Sequence, residues 1–181
     1  MEKLYTISVF TENNIGLLNR LTIIFTRRRI NIESLTVSET EKKGISRFTI
    51  VVKCTEDMSK KLVQQINKVI EVLIAYAYDA DNMIFSEVAI YKVNIEDATK
   101  VTPIINLANE HSARVVYMEP GFTALEKTGT LEELMLFYDM LKPFGLLEFV
   151  HSGRIAIHKQ RHQAHEIYHA EELSEYETIL N

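Results

Sequence analysis

The sequence has few of the residues that would build a disulfide framework, a metal cluster or a membrane span. Its 181 residues include one cysteine, Cys54. A lone cysteine has no internal disulfide partner and cannot by itself form a cysteine zinc site. No segment approaches the roughly 18 consecutive apolar residues that a membrane-spanning helix needs. Residues 1–7 lack the basic and apolar segments of a signal peptide, so we expect a cytoplasmic chain with no membrane partner.

The charge is mildly acidic and unevenly distributed. The chain has 25 acidic and 20 basic side chains, for a net charge of −5. After residue 159 there are five glutamates and one arginine, so the tail carries −4 and residues 1–159 are nearly neutral. A nucleic-acid-binding chain would show a basic patch instead. We therefore expect no nucleic-acid partner and interpret the acidic tail as a solvated appendage.

Residues 1–80 alternate between strand and helix patterns. Alternating β-branched, aromatic and polar residues predict strands at 4–10, 31–40, 45–54 and 72–78. Apolar residues at helical spacing predict helices at 17–25 and 58–70, the second with Ile70 facing inward. Asn13 or Asn14 is expected to cap the first helix, and the arginines at 27–29 to end it. This βαββαβ order is the ferredoxin-like split pattern.

The same order returns between residues 83 and 158. Strands are predicted at 85–93, 114–119, 122–127, 146–150 and 154–157, and helices at 98–111 and from Thr130 to about 142. Thr130 and Glu133 have the spacing of a capping box, and Pro143 is expected to stop the helix. The predicted fold class is α+β, with two tandem ferredoxin-like βαββαβ units at 1–80 and 83–158. A short helical tail is expected at 159–181.

The sequence lacks the common motifs of enzyme active sites. It contains no GxGxxG, P-loop, HExxH or CxxC pattern. Ser152 and Gly153 lack the flanking residues of a nucleophile elbow. Cys54 falls at the end of a predicted strand, where we expect a buried thiol. A non-catalytic protein is therefore predicted, and a small enzyme of ferredoxin-like fold is the disfavoured alternative.

Four histidines, His158, His162, His165 and His169, are spaced as on one face of a helix. On a continuous helix they would point the same way, as ligands of a transition metal do. The alternative is a solvated helical face whose histidines bind nothing. His158 is expected to end a strand, so His162, His165 and His169 remain as weak candidates. We expect no metal site.

The loop at 11–18 is the most informative segment. Gly16 falls in the first turn of the predicted helix, where the absence of a Cβ lets a ligand approach the backbone. Unpaired amides and the helix dipole at this position favour a carboxylate. The strand that Asn31 begins is expected to lie beside the first strand, so that its amide also reaches the loop. The pattern indicates either an amino-acid site or an asparagine cap with a packing glycine.

At this loop the chain resembles a known family. Residues 14–18, Asn-Ile-Gly-Leu-Leu, resemble the N-x-G-x-L turn of an ACT domain, a ligand-binding module of amino-acid metabolism. Residues 28–37, RRINIESLTV, resemble the R-x-x-N-I-E-S-L-x-V segment of acetolactate (acetohydroxyacid) synthase regulatory small subunits. Residues 87–93 and 149–156 resemble that family's next strand and its closing Ser-Gly segment. The resemblance spans residues 1 to about 158.

The resemblance implies a regulatory subunit of acetolactate synthase. Such a subunit activates the thiamine-diphosphate-dependent large catalytic subunit and confers feedback inhibition by valine or another branched-chain amino acid. Thiamine diphosphate, magnesium and FAD belong to the catalytic subunit, so no cofactor is expected in this chain. The alternative is a stand-alone tandem ACT-type amino-acid sensor or transcriptional modulator, without an enzyme partner.

The resemblance also implies a homodimer formed through ACT domains, with the effector at the dimer interface. The second unit has no counterpart of Gly16, so the first unit alone is expected to bind effector. His151 stands where the family commonly has arginine. The effector-binding residues carried over by the resemblance are Asn13, Asn14, Ile15, Gly16, Leu17, Leu18, Asn31 and Ile32.

Overall fold

The structure, a computed structural model, describes residues 1–159 as two units. Unit 1 contains residues 1–84 together with 156–159, and unit 2 contains residues 85–155. The tail predicted at 159–181 lies, from residue 160 onward, outside the described residues, and so do His162, His165 and His169.

Both units have the predicted α+β element order. Unit 1 begins with β1 (Lys3–Glu12), α1 (Leu17–Arg27), β2 (Ile32–Glu39), β3 (Ile45–Cys54), α2 (Glu56–Ile66) and β4 (Val72–Asp79). The next elements are β5 (Met83–Asn94), α3 (Val101–Glu110), β6 (Arg114–Glu119), β7 (Phe122–Gly129), α4 (Leu131–Gly145) and β8 (Leu146–His151). The last described strand is β9 (Ile155–His158).

The two sheets share one topology. The first has the strand order β2-β3-β1-β4 and the second β6-β7-β5-β8, so the second strand of each repeat lies at an edge. The neighbouring strands on these two paths are antiparallel. Strand β9 also pairs with β5. The predicted tandem ferredoxin-like architecture is confirmed.

The core of unit 1 lies between its sheet and helices α1 and α2. Alternate residues of β1, Ile7 and Val9, are fully buried against apolar side chains of both helices, including Leu21, Phe25 and Leu62. Each such side chain stabilises the fold by about 1.5–3 kcal/mol relative to exposure. Every second residue of β1 and one face of each helix are therefore buried in the same core. This packing holds both ends of the loop between β1 and α1 in place.

The core of unit 2 is centred on Tyr91, which is fully buried in β5. Its ring packs edge-on against Phe137 of α4 and also contacts Phe149 of β8, each at a centroid distance of 5.1 Å. Its hydroxyl donates a 2.8 Å hydrogen bond to the Leu134 carbonyl. Burial raises the pKa of Tyr91 to about 12, so the phenol stays protonated and remains a donor.

Three local predictions about helices were wrong. No side chain caps α1, although Asn13 and Asn14 were expected to. Helix α2 ends at Ile66, and Ile70, which was expected to face inward, is 94% exposed. Helix α4 continues through Pro143 to Gly145, because a proline in the last turn removes one hydrogen bond without blocking the residues before it. The capping box of Thr130 and Glu133 is confirmed.

Candidate functional site

Helix α1 begins without a side chain over its amino end. Its N-cap residue is Gly16, at φ 84° and ψ −3°, in the left-handed region that favours glycine. The Asn14 side chain turns away and donates a 2.9 Å hydrogen bond to Glu12 Oε2. A Cβ placed on Gly16 would meet nothing within 4 Å. Gly16 is thus required by the backbone angle, and the space above the helix end is open in this chain.

The loop before α1 is anchored but solvent-exposed. Asn13 N–H donates to the Gly44 carbonyl at 2.8 Å, which ties the loop to the turn between β2 and β3. Leu17 N–H reaches the Asn14 carbonyl only at 3.4 Å. First-turn amides have no acceptor inside their own helix, so an anion at this position would complete their hydrogen bonding. The loop is therefore held to the neighbouring turn and leaves the amino end of α1 exposed to solvent.

The predicted apolar residues of the loop differ in burial. Leu17 is almost completely buried in the unit 1 core, so only its backbone is accessible. Ile15 is fully exposed, and Leu18 is about half exposed on the first turn. Two exposed aliphatic side chains thus lie beside first-turn amides that have no acceptor within their own helix.

An ion pair at this end of the sheet was not predicted. Arg20 Nη1 donates to Glu71 Oε1, and Glu12 N–H bonds the Glu71 carbonyl at 2.9 Å. A hydrogen bond from its own backbone is the largest cause that lowers the pKa of Glu71, and Arg20 lowers it further. The two residues are 51 positions apart, so no local pattern linked them. The pair places a cation and an anion at the base of the loop.

Asn31 and Ile32 lie at the opposite end of the sheet from this loop. Ile32 is paired with Val52, and Val52 with Tyr5, near the start of β1. The loop follows Glu12, at the other end of the same strand. Thr11 is six positions beyond Tyr5 in β1, which corresponds to about 20 Å of strand.

The expectation that Asn31 reaches the loop within one chain was therefore wrong. In the split βαβ unit, β3 lies between β1 and β2, so the strand that Asn31 begins is not beside the first strand. The Asn31 side chain donates instead to Glu33 Oε1 at 3.1 Å and is exposed. The structure keeps Asn13 to Leu18 together and places Asn31 and Ile32 apart from them.

The corresponding turn of unit 2 is closed by its own side chains. The Asn94 side chain accepts from Glu96 N–H at 2.8 Å. The Asp97 carboxylate accepts from both the amide and the hydroxyl of Thr99, at 3.0 and 2.6 Å. These bonds lower the pKa of Asp97. Asp97 thus caps the 3₁₀ turn Ala98–Lys100 that leads into α3, whereas α1 follows Gly16 directly and has no side-chain cap.

The closing Ser-Gly segment of unit 2 folds back on β5. Ser152 N–H donates to the Val88 carbonyl at 2.8 Å, and Val88 N–H donates to Ser152 Oγ at 3.0 Å. His151 of this segment has its Nδ1 3.3 Å from Glu87 Oε2. These hydrogen bonds hold the Ser-Gly segment against β5, so its role in this structure is structural.

His158 ends β9, as expected, and its ring contacts Tyr78 at a centroid distance of 4.1 Å. Among residues 1–159, no group of three or more His, Cys, Asp or Glu side chains could hold a metal ion. Cys54 is buried, and burial raises the pKa of its thiol. No helix in this part of the chain has the length and apolar character to cross a membrane.

Two protein families match consecutive parts of the chain. Residues 7–74 match the family described as AHAS small subunit-like ACT domain. Residues 86–160 match the family described as small subunit of acetolactate synthase. The two matches cover the two sheets of the structure in order.

Curated relatives and a solved structure extend the comparison. The chain is 37% identical to the acetolactate synthase small subunit of Mycolicibacterium smegmatis over 153 residues, 84% of this chain and 89% of the relative. It is 31% identical to the probable small subunit of Methanothermobacter thermautotrophicus, over 84% and 91% of the two chains. The crystal structure of the small subunit from Thermotoga maritima matches with a TM-score of 0.80 and 24% identity, covering 88% of this chain and 99% of that one. This last match concerns the fold.

Proposed function

The chain belongs to the acetolactate synthase small-subunit family, and on this premise we propose that it activates a catalytic subunit and makes it sensitive to a branched-chain amino acid. The family membership supports a regulatory role and pairing with a catalytic subunit. The relatives' names agree with the prediction that the chain is non-catalytic. Thiamine diphosphate, magnesium and FAD are then expected in the catalytic subunit.

The open amino end of α1 is the observation that supports effector binding most directly. A free amino acid carries a carboxylate, which the first-turn amides at Gly16 to Leu18 attract through their N–H groups and the helix dipole. The exposed side chains of Ile15 and Leu18 offer aliphatic contact. We assign valine as the first effector to test, because its branched aliphatic side chain suits that contact. Leucine and isoleucine have the same chemistry.

A homodimer through β2 would complete this site. Strand β2 is an edge strand that pairs, within the described residues, with β3 alone. The last residue of β2, Glu39, is paired with Ser46 of β3, and Ser46 is paired with Thr11 of β1, next to the loop. If two β2 strands pair antiparallel, Ile32 of one chain lies opposite Glu39 of the other. Asn31 and Ile32 of each chain would then stand at the loop end of its partner.

The proposed site therefore consists of residues 13–18 of one chain and of Asn31 and Ile32 of the second. This arrangement explains why a single chain separates the two groups by about 20 Å. Because effector binding and dimer geometry are linked, the effector can favour one arrangement of two ACT domains. A coupling of about 1–3 kcal/mol would change the activity of the bound catalytic subunit about 5- to 150-fold.

The test is acetolactate formation by the catalytic subunit of the same organism, with and without this chain, across a valine titration. We expect addition of the chain to raise the rate and valine to suppress the increase. Activation that no branched-chain amino acid suppresses would reject the effector and keep the partner. Absence of both activation and a complex would reject the proposed function and favour a stand-alone sensor.

A further inference from the structure

Arg20 lies one helical turn beyond Gly16 on α1. Its backbone N–H donates to the Gly16 carbonyl at 3.3 Å, so the residue follows the open amino end of the helix directly. Side chains of a helix lean toward its amino end and cover the preceding turn. The Arg20 side chain is 51% exposed. A solvent-accessible cation therefore stands beside the first-turn amides of α1.

Glu71 holds this cation next to the loop. Arg20 Nη1 donates to Glu71 Oε1, and the Glu71 backbone carbonyl accepts from Glu12 N–H at 2.9 Å. Glu12 is the last residue of β1, and the loop begins at the next residue. A hydrogen bond from its own backbone, and then Arg20, lower the pKa of Glu71. Its carboxylate is thus ionised at neutral pH and fixes the guanidinium near the loop.

One edge of the guanidinium has no partner in the described part of the chain. Among residues 1–159, Glu71 is the only hydrogen-bond partner of the Arg20 side chain, and it uses Nη1. Nε and Nη2 form the edge through which an arginine binds a carboxylate with two parallel hydrogen bonds. Arg114 uses the same edge on Glu126 in unit 2, at 2.9 and 3.0 Å. Arg20 therefore has the donors that a carboxylate ligand requires.

Unit 2 folds without a counterpart of this ion pair. Helix α3 contains no lysine or arginine. Gly145 precedes β8, whereas Glu71 precedes β4. The two sheets nevertheless share one topology. The fold therefore does not require the pair, which occurs in the unit that has the open loop at Gly16.

We propose that Arg20 is a further effector-binding residue, whose Nε and Nη2 bind the carboxylate of the amino acid while Glu71 holds its Nη1. This inference rests on the proposed function, in which the first-turn amides of α1 attract the same carboxylate. The amides supply partial charges and the guanidinium adds a full positive charge. Glu71 is then a positioning residue, and its negative charge opposes that of the effector carboxylate.

Titration calorimetry of the full-length chain with valine tests the contact. Arg20→Met removes the guanidinium and should weaken valine binding about tenfold, as expected when a hydrogen bond to a charged group is lost. Arg20→Lys keeps the charge without the two-donor edge and should lose less affinity. Arg114→Met is the matched control, because its ion pair with Glu126 is also exposed mainly on the arginine side. The control should bind valine with unchanged affinity.

Glu71→Gln separates a binding role of Arg20 from a structural one. Glutamine keeps an oxygen that accepts from Nη1 and removes the negative charge beside the guanidinium. If Arg20 contacts the effector carboxylate, this variant should bind valine at least as tightly as the unaltered chain. If the ion pair only ties α1 to β4, Arg20→Met and Glu71→Gln should both weaken binding, and the proposal is wrong. Urea unfolding of each variant verifies that it is folded.

Valinamide identifies the group of the effector that Arg20 contacts. This ligand keeps the amine and the branched side chain of valine but has a neutral amide in place of the carboxylate. Arg20→Met should leave its affinity unchanged, so that the preference for valine over valinamide falls about tenfold. Competition with valine gives the affinity where direct titration is too weak. An equal loss of affinity for both ligands would overturn the contact.

Failure of this inference is distinguishable from failure of the proposed function. An unaltered chain that binds no branched-chain amino acid would reject the effector and the role of Arg20 together. A chain that binds valine equally well before and after Arg20→Met would reject the role of Arg20 alone and leave the effector with the first-turn amides. Weaker valine binding in Arg20→Met, with undiminished binding in Glu71→Gln, supports the proposal.

Discussion

Glu87 and Arg154 form a buried ion pair in unit 2, with Arg154 Nε 3.8 Å from Glu87 Oε1. Only 4% of Glu87 and 8% of Arg154 is exposed. The guanidinium also lies over the Phe85 ring, 3.9 Å from its centroid. Burial lowers the pKa of Arg154, and the negative charge of Glu87 opposes that effect. The closing segment of unit 2 therefore depends on charge compensation inside the protein.

Replacing Arg154 by methionine should destabilise the protein by about 3 kcal/mol. The Glu87 carboxylate would remain buried without the guanidinium that compensates its charge. The measurement is the free energy of unfolding in urea at pH 7. Arg114→Met is the matched control: its ion pair with Glu126 is solvent-exposed on the arginine side, and we expect a loss of about 1 kcal/mol or less. Equal losses in the two variants would show that burial of the Glu87 pair has no special effect.

Gly16→Asp should abolish valine inhibition and leave activation of the catalytic subunit largely intact. The added carboxylate would stand at the amides where an effector carboxylate binds, and the side chain is strained at φ 84°. Acetolactate formation across a valine titration measures both properties. Gly121→Asp controls for strain, since Gly121 also has a positive φ, in unit 2. Normal valine sensitivity in Gly16→Asp would remove this loop from the site.

Mixing two insensitive variants should restore inhibition. In a dimer of Gly16→Asp and Asn31→Ala chains, one site combines the intact loop of the second chain with the intact Asn31 of the first. The chains are unfolded together and refolded, and valine inhibition is compared with each parent. A site built within one chain predicts no recovery, so the mixture distinguishes the two arrangements without a structure of the complex.

The capping box of α4 should make stability depend on pH in the acidic range. Bonds from the Thr130 backbone and side chain lower the pKa of Glu133 in the folded protein. Its contribution is therefore present above the unfolded pKa of about 4.3 and is lost as the pH falls through the lower folded value. The difference in urea midpoint between wild type and Glu133→Gln should be present at pH 7 and shrink below about pH 4. A difference that is constant with pH would contradict this.

The fold was predictable because its elements have strong local periodicity. The alternation of buried residues in β1 predicts a strand, and the 3.6-residue spacing of apolar residues in α1 predicts a helix. The repeated order of strands and helices indicated two units. The ends of helices were less predictable, because they depend on single backbone angles. The left-handed conformation of Gly16 replaced the expected asparagine cap, and the end of α2 at Ile66 left Ile70 outside.

The candidate site was predictable only in its local part. Residues 13–18 are contiguous, so the loop motif identified them together. The position of Asn31 depends on strand order, which inserts β3 between β1 and β2. Strand order results from pairing between distant segments and has no local signal. The same reason explains why the pair of Arg20 and Glu71 was missed.

The closed turn of unit 2 has a consequence for stoichiometry. Asp97 accepts hydrogen bonds from Thr99 at the 3₁₀ turn that leads into α3, whereas no side chain caps the start of α1. A dimer of chains built from four related units would then bind two effector molecules, one for each chain. Isothermal titration calorimetry with valine should saturate at one equivalent per chain. Each chain would then contain two units of the same fold but bind effector at one of them.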